Sequence, residues 1–171
     1  MKDVKEDWCF SSDYILEKFI DLKQEISVII TRYSDGGLSI YEPIENIHKE
    51  QILNTSVIPA TISLKMREEA KTVAKKISEK LKYIGTMCVE FFIDKENKLY
   101  VNEIAPRVHN SGHLTINAFN ISQFENHVRA VCDLEKIELQ KKSNAKMLNI
   151  IGHEIKEDRG KTLNKNQHLE Y

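Results

Sequence analysis

Two glutamates and one short polar loop hold the residue types in this chain best suited to chemistry. Glu90 and Glu103 each sit inside a run rich in Val, Ile, Phe and Tyr, Met87 to Ile93 and Leu99 to Ile104. Directly after the second run come Ala105, Pro106, Arg107, Val108, His109, Asn110, Ser111, Gly112 and His113. A guanidinium forks onto phosphate or carboxylate, and imidazoles can move a proton near neutral pH. The loop is therefore a dense cluster of anion-binding groups. Two carboxylates meeting among apolar neighbours repel each other and are costly to bury. A divalent cation is the economical remedy. Hard oxygen donors with no nearby thiolate and imidazole set suit Mg²⁺ or Mn²⁺ better than zinc.

These groups need a scaffold, and the two runs read as the strands of a hairpin separated by Asp94-Lys95-Glu96-Asn97-Lys98. A four-residue loop over Lys95 to Lys98 sets Asp94 against Leu99, Phe92 against Val101 and Glu90 directly opposite Glu103. The Cβ atoms of such a pair lie about 4.5–5.5 Å apart. The same register puts Cys88, Phe92, Leu99 and Val101 on the face of the two glutamates. Pro106 ends the strand, so the loop that follows stands at the end of the sheet.

Upstream, Glu25 to Thr31 is a further extended run that turns at Asp35-Gly36-Gly37 and returns over Leu38 to Tyr41. Glu42 to Ser56, which carries His48, reads as a loop-rich crossing. Ser63 is positioned to cap a helix whose apolar stripe is Met66, Ala70, Val73, Ala74, Ile77 and Leu81, with Gly85 at the turn after it. A second helix is expected over Ile121 to Leu134, with Ser122 and Glu125 as a capping box. Its stripe is Phe124, Val128, Val131 and Cys132, and His127 is read as a surface or satisfied histidine. Glu135 to Ala145 is a polar connector and Lys146 to Gly152 a last strand. Residues 1–14 form an undefined lead-in. From His153 to Tyr171 the chain is charged with little core, a composition expected to stay disordered.

Composition narrows the function classes. With 41% hydrophobic and 30% charged residues and a net charge of −1, the chain reads as an ordinary globular protein with no electrostatic case for nucleic acid or an anionic membrane. No run approaches the roughly 18 apolar residues of a membrane helix, and the start MKDVKEDW is too polar for a secretory signal. A cytoplasmic location is expected. Cys9, Cys88 and Cys132 lack metal-ligand spacing and read as reduced packing residues.

Glu90 on one strand, then Asn102-Glu103-x-x-Pro106-Arg107 on the next, resembles the metal-binding signature of the ATP-grasp ligases. The longer string Asn102-Glu103-Ile104-Ala105-Pro106-Arg107-x-His109-Asn110-Ser111-Gly112-His113, followed by Ser122 to His127, is similar to the N5-carboxyaminoimidazole ribonucleotide synthases among them. The resemblance covers roughly Tyr14 to Gly152. It implies an α+β fold, the C-terminal part of an ATP-grasp domain over residues 15–152, with an antiparallel sheet and helices packed on one face. Residues 153–171 would begin the next subdomain.

The resemblance also implies roles. Glu17, Lys18, Phe19 and Ile20 would line the adenine pocket, Glu25 would hold the ribose hydroxyls, and His48 would contact the nucleotide. Glu90 and Glu103 would hold Mg²⁺ beneath the phosphates of ATP, with Asn102 assisting. Arg107, His109, Asn110 and His113 would surround bicarbonate or carboxyphosphate, either histidine moving a proton. The substrates implied are ATP, bicarbonate and 5-aminoimidazole ribonucleotide, in an enzyme expected to be a homodimer. A glycine-containing phosphate loop and a preceding Rossmann-like domain, both features of that family, are missing from this sequence. The expectation is a fragment that is inactive alone. Two rival readings are a formate-dependent glycinamide ribonucleotide transformylase-like enzyme, whose loop is closer to Pro-His-Asp-Thr-Gly, and a non-catalytic dimerisation module.

Overall fold

The computed structural model describes residues 16–151. The lead-in before Leu16, with Cys9, and the charged tail from Gly152 lie outside the described residues. The chain runs β1 (Leu22–Arg32), β2 (Leu38–Ile40), β3 (Ile44–Lys49), β4 (Ile52–Ile58), α1 (Leu64–Leu81), β5 (Gly85–Asp94), β6 (Leu99–Ala105), a short 3-10 turn (Asn110–Gly112), α2 (Thr115–Ala118), α3 (Gln123–Val131) and β7 (Ala145–Leu148). The strands form one antiparallel seven-stranded sheet in the order β6-β5-β1-β3-β4-β7, with β2 also on β1. β1 is its spine. It pairs with β5 from Leu22 to Arg32, and its other edge serves β3 through Glu25–Ser27 and β2 through Ile30–Arg32.

Side chains alternate across a strand. Ile26, Val28 and Ile30 of β1 join Met87, Val89, Phe91 and Ile93 of β5 under Met66, Ala70 and Ala74 of α1. On the other side Ile29 and Cys88 pack with Tyr41, Ile44 and Ile58 under Leu114, Ala118 and Phe119. Helices therefore cover both faces, not the single face expected. Val28-Ile29-Ile30 is apolar at both parities, which requires cover on both sides. The second cover was invisible in sequence because α2 is a single turn with no period to detect.

The start of α1 follows the Ser63 signal read for it, whereas its end comes before Gly85, which opens β5. Ser63 accepts from Met66 N at 3.2 Å, and Lys82 closes the helix in the left-handed region at φ 51°. Two other expectations need correction. Glu42 to Ser56 is not a loop-rich crossing but the β3–β4 hairpin, turning on Glu50 and Gln51, both at positive φ. Its run of Glu, Asn, His and Lys has low strand propensity and no Asn-Gly signal. In α3 the buried face is Gln123, Asn126 and Ala130, whereas Val128, Val131 and Cys132 of the expected stripe are exposed. Polar groups dock this helix: Asn126 accepts from Tyr33 Oη at 2.6 Å and donates to Tyr41 Oη at 2.9 Å. His127 is satisfied, its Nδ1 accepting from Thr86 N at 3.0 Å. Ser122 caps Glu125 N, but the Glu125 carboxylate turns to Arg129, so only half of the capping box forms.

Candidate active site

The β5–β6 hairpin places the carboxylates by a route the sequence did not reveal. Ile93 pairs with Leu99, Phe92 with Tyr100 and Phe91 with Val101, one residue out of the expected register. The cause is Asp94. Its carboxylate accepts from Glu96 N and Lys98 N at 3.0 and 2.8 Å and from Tyr100 Oη at 3.0 Å, while Asn97 takes a positive φ. This shortens the loop by one residue, to Lys95, Glu96 and Asn97, because Asp94 N already bonds Lys98 O. These donors, the Lys98 N–H foremost, hold the Asp94 carboxyl below its ordinary range. Leu99 consequently packs on the α1 side and Val101 shares the parity of Phe91, so neither lies on the glutamate face.

The register then shifts between Val89 and Phe91, after which Val89 pairs with Ile104 and Cys88 with Ala105. Asn102 and Glu103 together therefore oppose the single residue Glu90. This is a β-bulge, a device that re-aims side chains beside functional sites. Val101 and Ile104 pair with α1-side residues, so the two bulge residues between them share the glutamate face. Burial, then the negative charge of Glu103, holds the Glu90 carboxyl above its ordinary range. Glu103 itself is exposed, so the apolar surroundings expected for the pair enclose Glu90 alone.

Other groups converge on Glu90. The His109 Nε2 lies 3.3 Å from Glu90 Oε1, and the ring and carboxylate are 13% and 16% exposed. Burial, followed by the Arg107 charge, pushes the His109 imidazole below its ordinary value. Both shifts oppose charge on the two partners. The Cys88 Sγ, a Glu90 oxygen and a His109 nitrogen lie within 4.8 Å of one another. The expectation of no nearby thiolate and imidazole set meets a His109 imidazole and the Cys88 thiol beside Glu90, but burial drives that thiol up and keeps it protonated, so no thiolate is present there.

Gln123, fully buried on α3, sets the loop geometry. Its Oε1 accepts from His109 N at 3.0 Å and its Nε2 donates to His109 O at 2.7 Å. Gly112 makes room for it, since a Cβ there would lie 2.6 Å from Gln123 Cδ. Arg107 is exposed, with Nη1 donating to Val108 O at 2.9 Å. Asn110 opens the 3-10 turn, its carbonyl accepting from His113 N at 3.0 Å. His113 is exposed and tilts against the Phe124 ring at 5.3 Å.

On β1 the same face carries Glu25, Ser27, Ile29 and Thr31. Glu25 Oε2 meets His48 Nδ1 of β3 at 2.7 Å, which brings together two of the residues singled out from sequence. Glu17, Lys18 and Phe19 are exposed and Ile20 half-buried in the extended lead to β1, and the Lys18 ammonium stands 5.5 Å over the Tyr100 ring. Sequence reasoning missed the polar groups beneath the site. Ser56 Oγ donates to Asn46 Oδ1 at 2.9 Å, Asn46 Nδ2 to Ser27 Oγ at 3.0 Å, and Ser27 Oγ to Ser111 Oγ at 2.9 Å, which lies 2.9 Å from His109 Nδ1. The available signal was Ser27, a lone hydroxyl inside the apolar run Ile26 to Ile30.

This arrangement matches known proteins. A family profile for the ATP-grasp domain matches residues 2–124. An N5-carboxyaminoimidazole ribonucleotide synthase of Brucella melitensis is 46% identical over 141 residues, 82% of this chain and 39% of the relative. That of Bacillus subtilis is 39% identical over 142 residues, 83% of this chain and 37% of the relative. The chain thus spans about two fifths of the length of these relatives. Among solved structures, the Staphylococcus aureus N5-carboxyaminoimidazole synthetase complexed with ADP superposes with a TM-score of 0.79 at 39% identity, covering 84% of this chain and 40% of that one. The Aspergillus clavatus synthase in complex with ADP and 5-aminoimidazole ribonucleotide gives a TM-score of 0.73 at 32% identity, covering 79% and 37%. The chain belongs to the ATP-grasp family.

Proposed function

We propose that this chain supplies the nucleotide, metal and bicarbonate side of a centre of the N5-carboxyaminoimidazole ribonucleotide synthase kind, which spends ATP to carboxylate 5-aminoimidazole ribonucleotide with bicarbonate. The observation that carries this reading is the bulge that sets Asn102 and Glu103 together against Glu90, beside the Arg107–His113 loop. The order of groups along the sheet adds support. From the hairpin turn inward come the Glu17–Ile20 lead, then Glu25, then the level of Ser27, which pairs with Glu90. Two residues of strand advance about 7 Å, a spacing on the scale of a nucleotide laid out as base, sugar and phosphates.

In this reading Glu17, Lys18, Phe19 and Ile20 flank the adenine, Glu25 accepts from the ribose hydroxyls, and His48 orients Glu25 through their contact. Glu90, Glu103 and the Asn102 amide oxygen form a hard-oxygen donor set that fits Mg²⁺ or Mn²⁺. Burial raises Glu90 first and the Glu103 charge second, and a divalent cation would relieve the repulsion between the two carboxylates. When bound, the ion would supply charge neutralisation on phosphate oxygens. Arg107 pairs its fork with a phosphate or bicarbonate oxygen. His109, Asn110 and His113 offer hydrogen bonds to the bicarbonate or carboxyphosphate, while Cys88 stays a protonated packing residue. Residues 15–152 then form the C-terminal part of an ATP-grasp domain and 153–171 the start of the next subdomain, within a cytoplasmic homodimer.

The test is thermal denaturation of the 171-residue chain with and without Mg²⁺, beside Glu103→Gln. Mg²⁺ should raise the melting temperature of the wild type more than that of the variant. Equal shifts would remove the metal assignment.

A further inference from the structure

Four buried polar side chains lead from β4, one strand in from the β7 edge of the sheet, to the ring of His109. Ser56 on β4, Asn46 on β3, Ser27 on β1 and Ser111 in the 3-10 turn are between 0% and 6% exposed. The chain has a direction. A carboxamide nitrogen can only donate, so Ser27 Oγ receives from Asn46 Nδ2 and passes its own hydrogen to Ser111 Oγ. Ser111 Oγ, having accepted, has its hydrogen left for His109 Nδ1 at 2.9 Å. A second donor reports on the same atom whichever way the Asn46 amide is turned: the Ser111 backbone N–H points at His109 Nδ1 from 3.4 Å. A nitrogen faced by two donors must present its lone pair. The ring hydrogen then sits on Nε2, the nitrogen that lies 3.3 Å from Glu90 Oε1.

We propose that Ser27, Asn46 and Ser56 are positioning residues that lock His109 as the Nε2–H tautomer, so that His109 offers a hydrogen-bond donor to an anion in the site rather than a proton acceptor. Small apolar residues would fill the same volume, yet a chain of matched donors and acceptors runs through the sheet instead. Such networks specify one arrangement when every member is satisfied. The functional half of the proposal rests on the anion-handling reading above, whereas the tautomer is a property of the unliganded chain.

The test is a long-range proton–nitrogen correlation spectrum of the 171-residue chain with isotope-labelled histidine, recorded at about pH 8, where an ordinary imidazole is neutral. The His109 signals are those lost in His109→Gln. The wild type should show a protonated Nε2 and a bare Nδ1. Ser27→Ala should give a mixture of tautomers, and Ser27→Thr, which keeps the hydroxyl, a single one again. A wild-type spectrum with the hydrogen on Nδ1 overturns the proposal, whether or not the variants fold. A Ser27→Ala spectrum that keeps only the Nε2–H form overturns the part given to Ser27. No nucleotide or metal is present, so this result is distinguishable from failure of the Mg²⁺ experiment.

Discussion

Glu90→Gln should make this protein more stable in metal-free buffer while weakening its response to Mg²⁺. Glu90 is mostly covered, lies opposite Glu103, and has its carboxyl held above the ordinary value by burial and by that neighbour. Two unit charges about 6 Å apart repel by ~0.7 kcal/mol at the dielectric of water and ~3 kcal/mol at an effective value of 20. Exposure of Glu103 favours the low end, and the desolvation cost of Glu90 adds to it, so about 1–2 kcal/mol is recovered on neutralisation. For a chain of this size that corresponds to roughly 2–6 °C in melting temperature. Glutamine keeps the shape of the side chain 3.3 Å from His109 Nε2, so the substitution removes charge and little else. The sign with pH follows from the raised folded-state value. Such a group favours folding fully below the unfolded value of about 4.3 and loses that contribution as pH rises through the folded value. The advantage of glutamine should therefore be greatest at neutral pH and fade towards about pH 4, where the wild type is itself protonated. Thermal denaturation in chelator across this range measures it, and added Mg²⁺ should narrow or reverse the order. A variant less stable than wild type by the same margin at every pH would refute the reasoning.

Three further outcomes are expected. Gln123→Ala strands the His109 backbone N–H and C=O, each worth about 1–3 kcal/mol when left unpaired, and should lower the melting temperature by several degrees. Gly112→Ala, which crowds the same amide, should cost about 1–3 kcal/mol, and a neutral effect of both would show that the loop is held otherwise. His109, depressed in the fold, contributes stability that is present above the ordinary histidine value of about 6.5 and is lost as pH falls below it. Urea midpoints between about pH 5 and 7 should slope less in His109→Gln than in the wild type. An unchanged slope would contradict a depressed imidazole.

The candidate residues could be picked out in the sequence because Glu90, Asn102, Glu103 and the Arg107–His113 string are local and carry a recognisable spacing. Their exact neighbours were not. The loop after β5 is set by Asp94 folding back on Glu96, Lys98 and Tyr100, a side-chain preference that strand patterning does not register. The bulge then restored the opposition of Glu90 and Glu103 by an independent irregularity, so the expected meeting of carboxylates arises through a different ladder. The buried face of α3 was hidden for a related reason: Asn126 and Gln123 are drawn inward by tyrosine hydroxyls and backbone groups, against the hydrophobic periodicity that points to Val128 and Val131. Ser27, Asn46 and Ser56 come together only once β1, β3 and β4 pair, a long-range event with no local mark.

The alternation along β1 and β5 separates two engineering problems within the same backbone. Ile26, Val28 and Ile30 of β1 and Met87, Val89, Phe91 and Ile93 of β5 share the core beneath α1, so heat tolerance could be sought by repacking Val28, Val89 or Phe91 against Ala70 and Ala74. Selectivity would instead be tuned from the reverse side, one residue along. A designer who slides either strand by a single position exchanges the two assignments, burying the polar cluster in oil and exposing the packing layer to solvent.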